Sequence, residues 1–573
     1  MEFLNRKKII SGTKYHISST CIMLAILFVG CKKGDSGSGN PPPPPPPAST
    51  SFSFNSFKLN GQFNGYNYKA VNTIPVLKVS FLAPIDKSSV SNSFSFKNSS
   101  GGSVGFNISY ENNDSTVVVQ PSSPLSFLSK YVFSVSTALK STAGGNLLSG
   151  VDVNLFTSLD SSRKFSSITD DALLDLVQKQ TLKYFTDLAH PVSGLALERN
   201  TSGETVTSGG SGFGIMAIIA GVSRNFITKA AGLAQLQKEV AFLKNTAQTF
   251  HGAYPHWLNG TTGAVIPFSA DDNGADLVET GFLMQGLLCA RQYFSGTSAD
   301  ETTLRADINT IWNRVEWSWF RQNDQNVLYW HWSPDKAWKI NLKIQGWSET
   351  LMTYILGASS TTFNIPKVVY SSGWAGGSSF TNGNTYYGYT LPLGPNLGGP
   401  LFFEHYSFLG VDPIGLSDTY ANYETQTKNH TLINYNYCKA NPQNYYGYSD
   451  SVWGLTASDI PNGYTASSPT NDVGVIAPTA ALSSFPYTPT ESMKALKFYY
   501  YVLGDKLFKQ YGFIDAFKLN DPWFADSYLA IDQGPIVVMI ENYRSKLLWN
   551  LFTGAPEIKA GMKSLGFSAP YLL

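Results

Sequence analysis

Near residue 160 the spacing of apolar residues changes from every second position to every third or fourth. No single regular architecture serves both patterns, so the chain must hold at least two differently built domains. Over residues 51–160 the runs Val76-Leu77-Lys78-Val79-Ser80-Phe81, Ser93-Phe94-Ser95-Phe96, Thr116-Val117-Val118-Val119 and Tyr131-Val132-Phe133-Ser134-Val135 alternate, with turn clusters between them. That pattern predicts an antiparallel β-sandwich. Beyond Arg163, Thr169 is placed to cap a helix with Asp170 and Asp171 in its first turn and Leu173, Leu174, Val177, Tyr184, Phe185 and Leu188 along one side. Similar patterns at 213–224, 233–250, 276–293, 304–319, 346–357, 475–483, 492–507 and 535–552 predict a large all-α domain over 161–573. A closed ring of helix pairs fits this length better than a solenoid, because no fixed repeat period is present.

The N-terminus reads as an address. Arg6, Lys7, Lys8 and Lys14 form a basic region, and residues 22–29 are an apolar run too short to span a bilayer. Over residues 1–30 this is a signal peptide. It ends in Phe28-Val29-Gly30-Cys31, which resembles a bacterial lipobox and makes Cys31 the expected lipidation site. Residues 31–50 contain the proline run 41–47, a stiff extended spacer. The expected location is the cell envelope, at the outer membrane or in the periplasm, with membrane contact through the lipid anchor only.

With 41 basic and 40 acidic residues the chain gives no reason to expect nucleic acid or an anionic partner, and it is expected to be a monomer. Its 12 Trp, 31 Tyr and 36 Phe supply flat rings that suit the C–H faces of sugars, although an aromatic core would raise the count equally. Cys289 and Cys438 are the cysteines left in the folded part. A bridge between them is open, but Cys289 sits in an apolar helical run that favours a buried free thiol. His190, His251, His256, His331, His405 and His430 are scattered with no metal-ligand spacing, so neither a metal nor a cofactor is expected.

Residues 51–160 resemble the bacterial Ig-like modules that accompany secreted enzymes, in Val79-Ser80-Phe81, Pro84-Ile85-Asp86 and Gly144-Gly145-Asn146-Leu147. The rest carries Asp272-Asn273-Gly274-Ala275-Asp276-Leu277-Val278-Glu279-Thr280, Gly346-Trp347-Ser348-Glu349, Gly399-Pro400-Leu401-Phe402, Phe524-Ala525 and Ile531-Asp532-Gln533-Gly534-Pro535. In order and spacing these stretches resemble the glucoamylase-like domain and most of all glycoside hydrolase family 144, whose members are β-1,2-glucanases. The resemblance implies an (α/α)6 barrel, inverting hydrolysis, and either internal cleavage or release of sophorose from chain ends.

The residues can be read physically beside that resemblance. Asp276 and Glu279 share a face at a helix entrance, where the dipole favours negative charge and both are expected to be ionised. Capping is the plain alternative for either, but Asp271, Asp272, Asp276 and Glu279 lie within nine residues and call for a hydroxyl-rich or cationic partner. Trp347 and Ser348 precede Glu349, whose apolar surroundings should raise its pKa. Asp532 lies at a helix mouth before Gly534-Pro535, a polar setting. Inverting hydrolysis needs an acid and a base about 6.5–9.5 Å apart. Residues matching the family pattern supply them as Glu349 and Asp532, with Asp272, Asp276 and Glu279 gripping sugar hydroxyls; exchange of the two roles stays open. Trp347, Phe402, His405, Trp523 and Phe524 are further candidates for contact with sugar.

Two other readings compete. A polysaccharide lyase on the same barrel would want cationic residues and a Tyr or His base, whereas the recurrent loop residues here are acidic. A non-catalytic surface glycan-binding lipoprotein would share the spacer and the Ig-like module but has no use for aligned carboxylates.

Overall fold

The computed structural model describes residues 51–377 and 380–573. The expected signal peptide, Cys31 and the proline spacer lie outside the described residues. The described residues divide into two compact units, one ending at Asp160 and the other Ser161–Leu573.

In the first unit eight strands form two four-stranded sheets. One has the order β1 (Phe54–Leu59), β3 (Leu77–Phe81), β6 (Thr116–Pro121), β5 (Phe106–Glu111); the other has β2 (Asn67–Val71), β8 (Val151–Thr157), β7 (Lys130–Val135), β4 (Phe94–Asn98). All neighbours are antiparallel except β2 and β8, which run parallel. The alternation seen in the sequence puts Leu77, Val79 and Phe81 on the inner face of one sheet and Phe94, Phe96, Tyr131, Phe133 and Val135 on the inner face of the other. Their interdigitation is the core of the sandwich.

The second unit is mainly helical. Among the described residues its α-helices of five residues or more are α1 (Asp170–Asp187), α2 (Ser208–Ser223), α3 (Lys229–Asn245), α4 (Leu277–Tyr293), α5 (Ala299–Arg314), α6 (Leu351–Ser359) and α7 (Tyr423–Ala440), followed by α8 (Pro478–Leu482), α9 (Pro489–Tyr501), α10 (Ala530–Ser545), α11 (Leu547–Thr553) and α12 (Pro556–Leu565). The Thr169 hydroxyl accepts the Ala172 N–H and so starts α1 where the sequence places it. The helices fall into two kinds. Nearly every residue of α2, α4, α6 and the first three turns of α10 is buried, whereas α1, α3, α5, α9 and α12 bury one side and expose the other. Helices buried all round form an inner layer and amphipathic ones cover it. Accordingly α2 packs against both α4 and α10, while α1 backs α10 and α12 backs α6; α3 and α5 pack on each other in the outer layer.

Several elements differ from the sequence reading, and α12 is a helix that it did not expect. The pattern at 535–552 is two helices, α10 and α11, broken at Lys546, which takes a left-handed φ of 58°. Helix α7 has no counterpart among the expected segments because its core side is polar: Gln426, Thr427, His430, Thr431 and Asn434 are buried in it. Cys289 and Cys438 are separate buried thiols.

Close approach of α2 and α4 depends on two facing glycines. A Cβ on Gly212 would lie 2.2 Å from the Phe282 carbonyl oxygen, and one on Gly286 would lie 2.2 Å from the Gly212 carbonyl oxygen. Backbone cannot yield as a side chain can. Gly212→Ala is therefore expected to destabilise the helical unit by about 1–3 kcal/mol or more and to lower its Tm by several degrees in calorimetry. An unchanged Tm would show that the two helices can separate freely.

Candidate active site

Three segments bring the first group of acids together. Strand pairing of Ala275-Asp276 with His331-Trp332 sets Asp276 opposite His331. Asp276 also caps α4: its Oδ1 accepts the N–H groups of Val278 at 3.0 Å and Glu279 at 2.9 Å. Capping and site are therefore the two oxygens of one carboxylate, since Oδ2 faces His256 Nδ1 at 3.2 Å and His331 Nε2 at 3.4 Å. Asp272 Oδ2 lies 3.2 Å from the same His331 nitrogen. Glu279, one turn into α4, accepts the Gly209 N–H at the start of α2 with its Oε2 at 2.9 Å. A Cβ on Gly209 would sit 2.2 Å from that oxygen, so any larger residue there would displace the Glu279 carboxyl.

Electrostatics follow from burial and pairing. Burial would depress the imidazole of His256, but the carboxylates of Glu279, Asp276 and Asp272 outweigh it and hold it up at about 9. Burial is outweighed in the same way at His331 by Asp272 and Asp276, again to about 9. Burial opposes ionisation of Asp276 too, yet its hydrogen bonds to His256 and His331 keep it below the usual carboxylate range. Glu279 departs from the sequence reading, which has it ionised with Asp276: burial pushes it up to about 7. Ligand atoms of Asp272, Asp276 and His331 lie within 4.8 Å of one another, close enough to share a cation.

An imidazole raised from 6.5 to about 9 adds stability that is complete below pH 6.5 and disappears as pH rises through 9. His331→Gln is therefore expected to lower Tm most below pH 6.5, with the difference from wild type closing by about pH 9–10. A pH-independent difference would mean that His331 is not charged in the folded protein.

The second group forms around α10. Asp532 sits in its first turn, with its backbone carbonyl accepting the Thr479 hydroxyl at 2.8 Å. The sequence gives it a polar setting; the structure corrects this. Asp532 is 2% exposed, and burial together with Asp515 and Asp459 raises its pKa well above the usual carboxylate value. Glu349 stands immediately before Thr350, the N-cap of α6, and its carbonyl accepts the Ser407 hydroxyl. Part of its side chain remains accessible, but enclosure of most of it pushes the carboxyl up to about 7, with Glu279 and Asp276 adding to the effect.

Tyr406 joins the two groups. Its buried phenol has a pKa raised first by burial and then by the charges of Asp532, Tyr464, Glu349 and Glu279. It therefore stands within electrostatic reach of carboxyls from α10, α4 and the turn that precedes α6. Phe402 stacks on the Tyr406 ring, with centroids 5.2 Å apart and an interplanar angle of 27°, and stays partly exposed. Trp523 and Phe524 form one strand of a short hairpin with Phe517 and Lys518 and are likewise partly exposed.

Trp347 and His405 are corrections to the sequence reading. Trp347 is 4% exposed, donates its indole N–H to Glu404 Oε1 at 3.0 Å and lies flat against Tyr423. His405 is 2% exposed with its Nε2 on the Ser484 hydroxyl at 3.0 Å, and burial lowers its pKa to about 3. Neither presents an open ring face to solvent. His256, His331, Tyr406 and Asp515 were not legible as site residues. A histidine after Trp330 and another before Trp257 gave the only signal, and it pointed to ring stacking.

A model of the Glycoamylase family matches residues 341–556, and a bacterial Ig-like family, Big_5, matches residues 66–158. An endo-β-1,2-glucanase from Chitinophaga pinensis, solved in complex with sophorotriose and glucose, is 50% identical with a TM-score of 0.69, and the match covers 71% of this chain and all of that one. A β-1,2-glucanase structure from Parabacteroides distasonis is 37% identical with a TM-score of 0.69, over 91% of this chain and 74% of that one. An exo β-1,2-glucooligosaccharide sophorohydrolase (non-reducing end) from Parabacteroides distasonis is 47% identical over 421 residues, 70% of this chain. The match spans 58% of that relative's own length.

Proposed function

The chain belongs to the glucoamylase-like family, glycoside hydrolase family 144, and on that premise we propose that it is an exported lipoprotein that hydrolyses β-1,2-glucan or its oligosaccharides with inversion. What supports the reading is that the carboxyls of Asp532, Glu349 and Glu279 all act electrostatically on one buried phenol, that of Tyr406. Inversion requires an acid for the leaving oxygen and a base for the attacking water on the opposite face. Glu349, raised to about 7, holds a proton to give at neutral pH. Asp532 is then the base. Asp272, Asp276 and Glu279, steadied by His256 and His331, accept hydrogen bonds from sugar hydroxyls, and Phe402, Trp523 and Phe524 offer ring faces to the pyranoses. An (α/α)6 arrangement is supported by the inner helices buried all round and the half-exposed outer ones.

Reducing-sugar release across β-1,2-, β-1,3- and α-glucans tests the reading. Release from the β-1,2-linked chain alone is expected. Binding without release would make the protein a glycan-binding lipoprotein, and an unsaturated product would make it a lyase. Product sizing separates internal cleavage, which gives a spread of oligosaccharides, from release of sophorose alone. Cys31→Ala is expected to move the protein from the membrane fraction to the soluble one.

A further inference from the structure

Glu349 is held through its backbone and its chain neighbours. Its carbonyl accepts the Ser407 hydroxyl, whose oxygen also accepts the Met352 N–H at 2.9 Å, so one serine spans the start of α6. Two residues before Glu349, the Trp347 indole N–H donates to Glu404 Oε1 at 3.0 Å. Residues 347–352, which carry Glu349, are thus tied at both ends to residues 404–407. That segment is pinned in turn. Glu404 is fully buried, and its Oε1 also accepts the Gln426 side-chain N–H at 2.9 Å and lies 2.7 Å from His430 Nδ1. His430 Nε2 donates to the Gly399 carbonyl at 3.1 Å, and since a carbonyl only accepts, this bond fixes the orientation of the ring. The backbone carbonyl of Glu404 accepts the Tyr487 hydroxyl at 2.7 Å. Oε2 of Glu404 is buried and accepts no hydrogen bond among the described residues. A buried carboxyl with one oxygen unpaired costs stability, and an apolar side chain would fill the same space at lower cost. What the carboxyl supplies is one oxygen on which α7, through Gln426 and His430, meets the turn before α6, through Trp347.

We propose that Glu404 is a positioning residue for the general acid: by holding the Trp347 N–H, with Ser407 of its own segment on the Glu349 carbonyl, it fixes the turn that aims the Glu349 carboxyl at the glycosidic oxygen. His430 and Gln426 hold Glu404 in place for that task. The inference rests on the reading of Glu349 as the acid. Glu404 is enclosed and touches no sugar, so it acts only through the residues it holds. In the step it serves, the glycosidic C–O bond breaks as Glu349 gives its proton to the leaving oxygen. Water forms the new C–O bond at the anomeric carbon and loses a proton to Asp532. Glu349 then takes a proton from solvent and Asp532 returns one, which restores the start. Proton transfer requires donor and acceptor within about 2.6–3.2 Å, and a misplacement of about 1 Å costs rate by about a hundredfold. Binding by the acids around His256 and His331 does not depend on that turn.

Dependence on the leaving group tests this in the full chain. Glu404→Gln keeps the size of the side chain but loses the charge that gathers three partners on one oxygen. It should lower kcat on linear β-1,2-glucan by about ten- to a hundredfold, with KM within about threefold. On an activated aryl β-glycoside, whose leaving group needs no proton, its kcat should stay within about threefold of the parent. Trp347→Phe removes the indole N–H and keeps a ring against Tyr423. It should show the same split with a loss of about three- to tenfold on glucan. The double variant should match Glu404→Gln alone to within about twofold, because both changes break the same bond. A merely structural role would reduce turnover of the two substrates alike. Equal loss on both substrates, parental kcat on glucan, or a double variant whose loss is the product of the single losses overturns the inference, and Trp347→Phe alone decides it if Glu404→Gln does not fold. Glu349→Gln separates the two readings: if it shows the split between substrates and the Glu404 and Trp347 variants do not, the inference alone falls. If it keeps parental turnover, the acid assignment falls and the inference falls with it.

Discussion

Glu349→Gln is expected to lower kcat on linear β-1,2-glucan by about 10²–10⁴-fold, the range that a positioned general acid contributes, while KM changes little. The amide keeps the shape of the side chain before Thr350 and removes only its proton. An activated aryl β-glycoside should lose far less, because a good leaving group departs without protonation. The parent enzyme should lose kcat/KM as pH rises through about 7, where the carboxyl ionises. A Glu349→Gln protein with parental turnover, or one equally impaired on both substrates, would remove Glu349 as the acid.

Asp532→Ala carries the second large effect. A fall of about 10²–10⁴-fold in kcat is expected, from loss of the group that takes the water proton. Azide or formate should recover part of it, since a small anion can occupy the space of the lost carboxylate and attack without a base. Neither should help Glu349→Gln on glucan. Stability should move the other way. Asp532 and Asp515 are buried acids with raised pKa values, so each contributes stability at low pH that is lost as pH rises through its folded pKa. Removing Asp532 relieves that repulsion, and its variant is expected to melt no lower than the parent at pH 7–8. A strained site that costs stability is the usual mark of function.

The change of period near residue 160 made the two-part construction legible, and apolar runs made α2, α4 and α10 legible, because those helices bury nearly every side chain. Helix α7 was not, because its buried side is a polar network: His430 Nδ1 meets Glu404 Oε1 at 2.7 Å, and Gln426 donates to the same oxygen at 2.9 Å. Hydrophobic period cannot report a core held by hydrogen bonds. In the site, acids clustered in sequence were legible, but their partners were not. His331 reaches Asp276 through cross-strand pairing over 55 residues of chain, and Asp515 reaches Asp532 through a loop pinned by Ser527. Helix-mouth arguments placed Asp532 in a polar setting, and only the packed structure reveals the second carboxyl that changes its charge. Aromatic count could not separate the partly exposed Phe402 from the buried Trp347, since burial depends on which neighbour covers each ring.

Glu349 and Asp532 are proposed to act from opposite faces of one glycosidic bond, with water between the base and the sugar. Proton NMR of the first sugar released from linear β-1,2-glucan reads that geometry directly, before the anomers equilibrate. The new reducing end is expected to appear first as the α anomer. Initial appearance of the β anomer would mean a covalent intermediate and two carboxylates too close for a water, and would contradict it.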